Sequence, residues 1–440
     1  MNVRELALAT LDRVTRDKSY SNIAVDTVIK RENLTGKDRS LFCVLVYGVI
    51  EKKITLDYLI DALSSLSPEK IEPSARNLLR MGLYQLRFLD RVPDHAAVSE
   101  TVNLAPRRTR GFVNAILRSY LRQKETLTLP KKEDGTARYL SVLYSYPEEF
   151  CEKLLSDFGE EKAEAILAAF EKTPALTLRV NTLKTSRDAL LADFSARGLD
   201  ATPTENAPHG IRVENATPTE IGLEEGLFFV QDEASQIASA ALGARAGDTI
   251  YDICACPGSK SFGAALDMEN KGCLLSFDLH ENKLSLVKKS AERLGITILK
   301  TEARDGRDFD DRLLASADRI ICDVPCSGFG VVAKKPEIRY KELSSCETLP
   351  AIQYDILNNA CRYLKPGGTL LYSTCTIFRE ENEDNVARFL REHPDFSLTP
   401  FRVGNLDVPE GQITLLPCDH GTDGFFIAKF TRKESFDDRK

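Results

Sequence analysis

Apolar residues recur at helical spacing from residue 1 to about residue 126. Side chains three and four positions apart share one face of a helix, so this spacing predicts amphipathic helices that pack on a common core. Pro68 and Pro106 interrupt the pattern, which favours several short helices over one long coiled coil. The apolar positions include Leu6, Leu11, Val14, Leu41, Val44, Leu45, Leu78, Leu79, Leu83, Val113, Ile116 and Leu117. We predict an all-helical domain over residues 1–130.

The pattern changes after this region. Residues 127–140 combine proline, glycine and charged side chains, a composition typical of a linker. A helical stretch and two alternating segments of the kind that forms half-buried strands follow at residues 147–170, 176–184 and 210–214. We therefore predict a small α+β module over residues 140–225.

Short β-rich runs alternate with helical stretches over residues 226–433. Such alternation predicts a doubly wound, largely parallel sheet in a Rossmann-like α/β domain, because each helix crosses over to the next parallel strand. A last run at residues 424–430 predicts an antiparallel strand at the far edge. The predicted parallel strands cover residues 249–254, 273–279, 298–300, 319–324 and 369–374. The fold class is thus multidomain: all-α, then α+β, then α/β.

Composition excludes several classes of protein. Hydrophobic residues make up 42% and charged residues 28% of the chain, and the longest apolar run, residues 41–50, is far shorter than the ~20 residues that span a bilayer. Eleven cysteines without a secretory leader predict reduced thiols in a cytoplasmic protein. Their spacing does not suit a tetrahedral metal site, so we expect neither a metal nor a membrane partner.

The net charge of −7 conceals a basic N-terminal region. Residues 1–130 carry 21 Lys and Arg against 15 Asp and Glu, whereas the remainder carries 38 against 51. Between Glu100 and Glu125 every charged side chain is basic, namely Arg107, Arg108, Arg110, Arg118, Arg122 and Lys124. This basic stretch is either a phosphate-binding surface or a solvated helix face, and charge alone does not decide between them.

One loop has the composition of a cofactor site. Ligands of a doubly wound sheet bind beyond the carboxyl ends of its strands, where the strand order reverses. The first predicted parallel strand runs there into small residues and then into a helix, whose free N–H groups face the loop. The loop consists of Cys254, Ala255, Cys256, Pro257, Gly258, Ser259 and Lys260.

Acidic residues follow the next three strands. Asp278 is placed to accept both hydroxyls of a ribose, Asp305 to accept an adenine amine, and Asp323 ends the fourth strand. A single Asp at such a position is more often a helix N-cap. Together, and without a GxGxxG motif, they favour the sulfonium cation of S-adenosylmethionine over an anionic pyrophosphate. We expect a class I methyltransferase.

Two cysteines lie at strand ends on this same edge: Cys326 in DVPCSGFG and Cys375 in YSTCT. Carbon 5 of cytosine is a poor nucleophile, but a thiolate that adds to carbon 6 makes it reactive towards a methyl donor. A second cysteine can assist release of the adduct. The pair therefore predicts cytosine-C5 methylation.

These strings resemble a known family, the RsmB (Sun or Fmu) branch of the Sun-type RNA cytosine-C5 methyltransferases. CACPGSK, DVPCSGFG and YSTCT match its three central motifs, and LRVNTLK and FVQDEASQ match the segment before them. LRMGLYQLRFL, AVSETVNLA and GFVNAILR resemble the NusB-type helical domain that this branch carries in front. The resemblance implies a NusB-like RNA-binding domain over residues 1–130, an RNA-recognition module over residues 140–225 and a catalytic domain over residues 226–433.

The resemblance also implies roles. Cys375 is the nucleophile, Cys326 assists product release, and Asp323 and Lys260 contact the target base. The implied substrate is 16S ribosomal RNA, free or in an early small-subunit particle, and we expect a monomer.

The cofactor loop departs from the pattern of that family. It usually contains CAAPGGKT, where this chain has Cys256, Ser259 and Ser261. All three side chains are small, so we expect the loop still to close on the cofactor.

Alternative functions stay open. A DNA cytosine methyltransferase would use Cys326 of the Pro-Cys pair as its nucleophile, although the Thr-Cys pair at Cys375 favours RNA. Another RNA, such as a transfer RNA, could be the substrate. In the third alternative, a non-catalytic RNA-binding protein resembling NusB, neither cysteine would have a function.

Overall fold

The structure is a computed structural model that describes residues 2–17 and 21–434. The chain forms two compact units, one of residues 1–171 and 332–343 and one of residues 172–331 and 344–440. Across the described ranges, every helix is too short or too polar to traverse a bilayer.

The first unit is helical, as the apolar spacing predicts. Its core contains fully buried side chains from four of the helices, among them Leu45, Leu56, Leu79 and Leu117. The helices are α1 (Val3–Asp17), α2 (Ser21–Glu32), α3 (Gly36–Glu51), α4 (Lys53–Leu63), α5 (Pro73–Phe88), α6 (Asp94–Leu104), α7 (Arg110–Gln123), α8 (Thr136–Tyr144), α9 (Glu148–Phe158) and α10 (Glu160–Phe170).

One local prediction in this unit was wrong. The predicted linker at residues 127–140 overlaps α8, because Leu140 and the residues after it bury an apolar face that the charged start of the segment conceals. The helical stretch predicted at residues 147–170 is confirmed and consists of the pair α9 and α10. Gly159 separates them because it adopts φ 76°, a left-handed conformation that glycine tolerates best.

A segment from the C-terminal half of the chain belongs to this helical unit. Arg339 is only 1% exposed there. Its guanidinium donates to the Glu51 carbonyl oxygen at 2.8 Å, lies 3.6 Å from the Glu171 carboxylate and sits 4.5 Å from the centroid of the Tyr146 ring. The sequence pattern did not reveal this insertion, because an arginine in a loop of charged residues is usually solvent-exposed.

The second unit begins with a small antiparallel sheet of order β2-β3-β1-β4. It contains the two strands predicted for the α+β module at residues 176–184 and 210–214, whereas the helical stretch predicted for that module at residues 147–170 belongs to the first unit. Arg179 in β1 is 2% exposed and pairs with the carboxylate of Asp267 at 2.7 Å, which fastens the sheet to the helix that follows the cofactor loop. The elements are β1 (Leu176–Val180), α11 (Arg187–Ala196), β2 (Ala201–Pro203), β3 (Gly210–Val213), β4 (Phe228–Val230) and α12 (Glu233–Leu242).

The main sheet has the order β10-β14-β9-β8-β5-β6-β7, in which β9 through β7 are parallel. The order reverses between β5 and β8. The elements are β5 (Thr249–Asp252), α13 (Ser259–Asp267), β6 (Cys273–Asp278), α14 (Glu281–Leu294), β7 (Leu299–Ala303), β8 (Ala317–Asp323), α15 (Leu349–Ala360), β9 (Leu364–Thr374), α16 (Glu383–Glu392), β10 (Phe396–Leu398), β11 (Phe401–Val403), β12 (Leu406–Val408), β13 (Gln412–Leu415), α17 (Pro417–His420) and β14 (Phe425–Arg432).

The last predicted strand is antiparallel, but it does not lie at the edge. β14 pairs with β9 on one side and with β10 and β13 on the other. It is buried almost throughout, which explains its uninterrupted apolar run from Phe425 to Ala428. The prediction missed β10 and β13 because each has only three or four residues.

Candidate active site

The cofactor loop follows β5 at the point where the strand order reverses. Its backbone is tightly folded: the Ala255 N–H donates to the Phe277 carbonyl oxygen at 2.7 Å, and the Gly258 N–H donates to the Ala255 carbonyl oxygen at 2.6 Å. Gly258 has φ 108°, which explains a glycine at this turn. Because α13 starts at Ser259, the first-turn N–H groups are available at the loop.

Asp278 lies against this loop at the end of β6. Its Oδ2 accepts a hydrogen bond from the Cys256 N–H at 3.3 Å, and its Oδ1 accepts one from the His280 N–H at 3.0 Å. The carboxylate is half-buried, so its remaining lone pairs can reach a ligand.

Asp305 follows β7 and forms a bidentate ion pair with Arg307. The Arg307 Nε lies 2.9 Å from Oδ1 of Asp305, and the hydrogen bonds from this guanidinium lower the pKa of the carboxyl. Asp305 is therefore ionised but already has a cationic partner.

Acidic groups surround Cys254. The pKa of its thiol is raised well above the ordinary value, first by burial and then by the charges of Asp252, Asp323, Asp278 and Asp305. The predicted carboxylates thus lie close together, in a setting that favours a cationic ligand.

Lys260, which is buried, and Asp323, which is half-buried, form an ion pair beside the loop. The Lys260 Nζ donates to Oδ2 of Asp323 at 2.6 Å, and the Ser373 hydroxyl donates to Oδ1 at 2.7 Å. Lys260 is 6% exposed, and its ammonium also lies 4.9 Å from the centroid of the Phe425 ring. The Asp323 carboxylate is thus held by partners on both of its oxygens.

The structure brings Cys326 and Cys375 together. Their sulfur atoms lie 3.0 Å apart, and the Cys375 N–H donates to the Cys326 sulfur at 3.2 Å. The pKa of the Cys326 thiol is raised well above its usual range, first by its hydrogen bond with Cys375 and then by burial. Cys326 is consequently a protonated thiol at neutral pH, and its hydrogen bond can stabilise a thiolate on Cys375.

The chain matches known proteins over nearly its whole length. A family model described as 16S rRNA methyltransferase RsmB/F matches residues 239–431, and a NusB family model matches residues 1–122. A probable ribosomal RNA small subunit methyltransferase B of Bacillus subtilis is 36% identical, covering 98% of this chain and 99% of its own. The chain belongs to the RsmB/F methyltransferase family. The ribosomal RNA small subunit methyltransferase B of Salmonella heidelberg is 32% identical over 98% of this chain and 99% of its own.

Membership of the RsmB/F family accounts for the arrangement of the fold. A model of the ferredoxin-like domain of this family matches residues 146–220, between the NusB match and the methyltransferase match. A methyltransferase homologue from Pyrococcus horikoshii has a similar structure, with a TM-score of 0.60 and 26% identity over 68% of this chain and 99% of its own. The predicted succession of a NusB-like helical domain, a small α+β module and a methyltransferase domain is confirmed. The exact domain bounds remain a prediction.

The sequence pattern did not reveal one further carboxyl beside the cofactor loop. Asp252, the last residue of β5, is fully buried and accepts a hydrogen bond from the Ser261 hydroxyl at 2.6 Å. Burial raises the pKa of its carboxyl to about 7. An acid inside an otherwise apolar strand was the available signal.

This buried carboxyl predicts a pH-dependent stability. Between about pH 4 and pH 7 the unfolded chain releases the proton of Asp252 while the folded protein keeps it, so the free energy of unfolding falls as pH rises. The loss amounts to about 4 kcal/mol, at roughly 1.4 kcal/mol for each unit that separates the two pKa values. Asp252→Asn can still accept the Ser261 hydrogen bond, and we expect it to flatten the curve. Urea denaturation of both proteins at a series of pH values tests this, and parallel curves would contradict it.

Proposed function

We propose that the protein transfers a methyl group from S-adenosylmethionine to carbon 5 of a cytosine in 16S ribosomal RNA. The observation that carries the proposal is the 3.0 Å separation of the Cys326 and Cys375 sulfurs at the ligand-binding edge of the sheet. The RsmB/F family match and the carboxylates around Cys254 support it.

The cysteines perform the covalent part of the reaction. The Cys375 thiolate adds to carbon 6 of the cytosine, which makes carbon 5 nucleophilic towards the methyl group that S-adenosylmethionine would supply, with its sulfur leaving as a neutral thioether. A base then takes the carbon 5 proton, and the carbon 6–sulfur bond breaks to return its electron pair to Cys375. Cys326 assists this release. The Lys260–Asp323 pair contacts and polarises the base, since buried charges stabilise developing charge without rearrangement.

The residues present fit S-adenosylmethionine, which supplies an electrophilic methyl group when bound. Carboxylates that are half-buried can accept ribose hydroxyls or an adenine amine, and a cluster of negative charge suits a sulfonium. The cofactor would contact residues 254–260 together with Asp278, Asp305 and Asp323.

Ribosomal RNA of the small subunit is the proposed substrate, as free RNA or in an early particle in the cytoplasm. Bisulfite sequencing of 16S ribosomal RNA from cells with and without the gene tests this directly. We expect one cytosine to lose its protection when the gene is absent. Unchanged protection in 16S ribosomal RNA, with a loss in transfer RNA, would reassign the substrate.

The exposed basic stretch is proposed to bind the RNA backbone together with the α+β module. Arg107, Arg108 and Arg110 are all exposed, although Arg108 also pairs with Glu72 at 2.6 Å. We expect replacement of all three by Gln to weaken RNA binding and to reduce the slope of log K against log salt by about 2, at roughly 0.7 for each lost contact with single-stranded RNA.

The control removes equal charge elsewhere, by replacing the exposed Lys271, Lys288 and Lys289 with Gln. Filter binding over a range of salt concentrations compares the two triple variants. Equal slopes for the basic-stretch variant and the wild-type protein would place the RNA surface elsewhere.

A further inference from the structure

The residues on either side of Cys326 are held by one buried carboxylate. Glu381 is 4% exposed, and its Oε2 accepts hydrogen bonds from the Ser327 N–H at 2.9 Å and from Nε2 of Gln353 at 2.7 Å. The same Gln353 Nε2 donates to the Pro325 carbonyl oxygen at 2.9 Å. Glu381, directly and through Gln353, therefore fixes the peptide groups both before and after Cys326.

The next residue in the chain holds Cys375 in the same way. Asn382 is fully buried, and its Oδ1 accepts a hydrogen bond from the Thr374 hydroxyl at 2.6 Å. Its Nδ2 donates to the Thr376 carbonyl oxygen at 3.1 Å. Both chain neighbours of Cys375 are thus hydrogen-bonded to the side chain of Asn382.

The two cysteine loops are also joined to each other. The Ser327 hydroxyl donates to Oγ1 of Thr376 at 2.8 Å, and the Gly330 N–H donates to the Cys375 carbonyl oxygen at 2.9 Å. A Cβ atom on Gly330 would lie only 1.8 Å from the carbonyl oxygen of Gly424, so only glycine permits this approach. The loops therefore have little freedom to separate.

Gln353 and Glu381 are themselves supported by a buried polar network. Asn385 Nδ2 donates to Oε1 of Gln353 at 3.2 Å, and the Tyr372 hydroxyl donates to the Glu381 carbonyl oxygen at 2.6 Å. Polar groups that are both buried and hydrogen-bonded hold a single geometry, because each alternative leaves a group unpaired. The support therefore extends from β9 and α16 to both cysteines.

We propose that Glu381 and Asn382 are positioning residues that set the separation of the two cysteine sulfurs, with Glu381 fixing Cys326 and Asn382 fixing Cys375. The inference rests on the proposed function. Each side chain holds its cysteine through hydrogen bonds to the residues that flank it. For Cys326 to assist release of the adduct on Cys375, the two sulfurs must be placed within about 0.5 Å of the productive geometry, which flexible loops alone do not provide.

The two positions predict different kinetic defects. Glu381→Ala displaces Cys326, so we expect release to slow about 100-fold and the RNA–protein adduct to accumulate, as we also expect when Cys326 itself is removed. Asn382→Ala displaces Cys375, so we expect adduct formation to slow by about the same factor and no adduct to accumulate. Affinities for RNA and S-adenosylmethionine stay unchanged in both.

Matched variants separate positioning from folding. Glu381→Gln keeps an oxygen that accepts the same two hydrogen bonds, so we expect it to retain most of the turnover. Glu380→Gln makes the same change at the exposed neighbouring position, and we expect wild-type kinetics. Should Glu381→Ala not fold, Gln353→Met removes the two hydrogen bonds that Gln353 donates to Pro325 and Glu381 while keeping nearly the same side-chain volume. We expect the same adduct to accumulate in that variant. Wild-type kinetics in Glu381→Ala or in Gln353→Met would overturn the proposal.

A second measurement does not depend on methylation. Iodoacetamide labelling followed by peptide mass spectrometry reports the reactivity of each thiol in the full-length protein. We expect Glu381→Ala to accelerate labelling of Cys326 relative to Glu381→Gln, which removes the same charge that raises the pKa of Cys326. We expect Asn382→Ala to accelerate labelling of Cys375 relative to Glu380→Gln. If the wild-type protein methylates no RNA, the proposed function fails while the labelling still tests positioning. Unchanged labelling rates in both variants would overturn the positioning roles.

Discussion

Cys375→Ala protein is expected to transfer no methyl group to 16S ribosomal RNA above background. Without a thiolate to add to carbon 6, carbon 5 stays a poor nucleophile, and removal of a covalent nucleophile lowers turnover by at least about a thousandfold. The Cys326 thiol is not expected to replace it, because burial still raises the pKa of Cys326 after the hydrogen bond with Cys375, the larger cause of the raised pKa, has been lost. Transfer of a labelled methyl group to RNA under single-turnover conditions measures the loss.

The control for this variant is Cys418→Ala, which alters a half-buried cysteine in α17 and leaves the active-site pair intact. We expect wild-type turnover from it and unchanged S-adenosylmethionine binding from both variants. Retained turnover in Cys375→Ala would contradict the assignment of Cys375 as the nucleophile. An RNA adduct on Cys326 in that variant would support chemistry of the DNA-methyltransferase type instead.

The sequence predicted those parts of the site that lie at strand ends. A parallel strand forms a short apolar run, and the residue that follows it must lie at the carboxyl edge of the sheet. Asp278, Cys326 and Cys375 could therefore be placed on one edge without knowledge of the strand order. The helical unit could also be predicted, because its apolar residues repeat with the period of a helix.

The supporting residues could not be predicted in this way. Glu381 and Asn382 lie in REENEDN, a charged run that is typical of an exposed helix start, yet both are buried. The burial of Arg339 could not be predicted either, because its partners Glu51, Tyr146 and Glu171 are distant in the chain. Burial of a polar side chain depends on the tertiary partners that satisfy it, and a local pattern carries no information about those partners.

The second large effect is expected in Cys326→Ala protein, which should form the adduct and fail to release it. Cys375 keeps its position in this variant, because Asn382 holds both Thr374 and Thr376. Addition and methyl transfer can then proceed, while the group that assists release is missing 3.0 Å from the Cys375 sulfur. We expect an RNA–protein species that survives denaturing electrophoresis and a multiple-turnover rate lowered by about 100-fold or more.

The double variant Cys326→Ala, Cys375→Ala distinguishes this outcome from trapping through another thiol. It lacks the nucleophile, so we expect no stable complex, and digestion of the single-variant complex should leave the modified nucleotide on the peptide that contains Cys375. A complex that persists in the double variant would contradict the assignment. Rapid release by Cys326→Ala alone would show that the close approach of the two sulfurs serves the addition step, with Cys326 acting only by stabilising the Cys375 thiolate through its hydrogen bond.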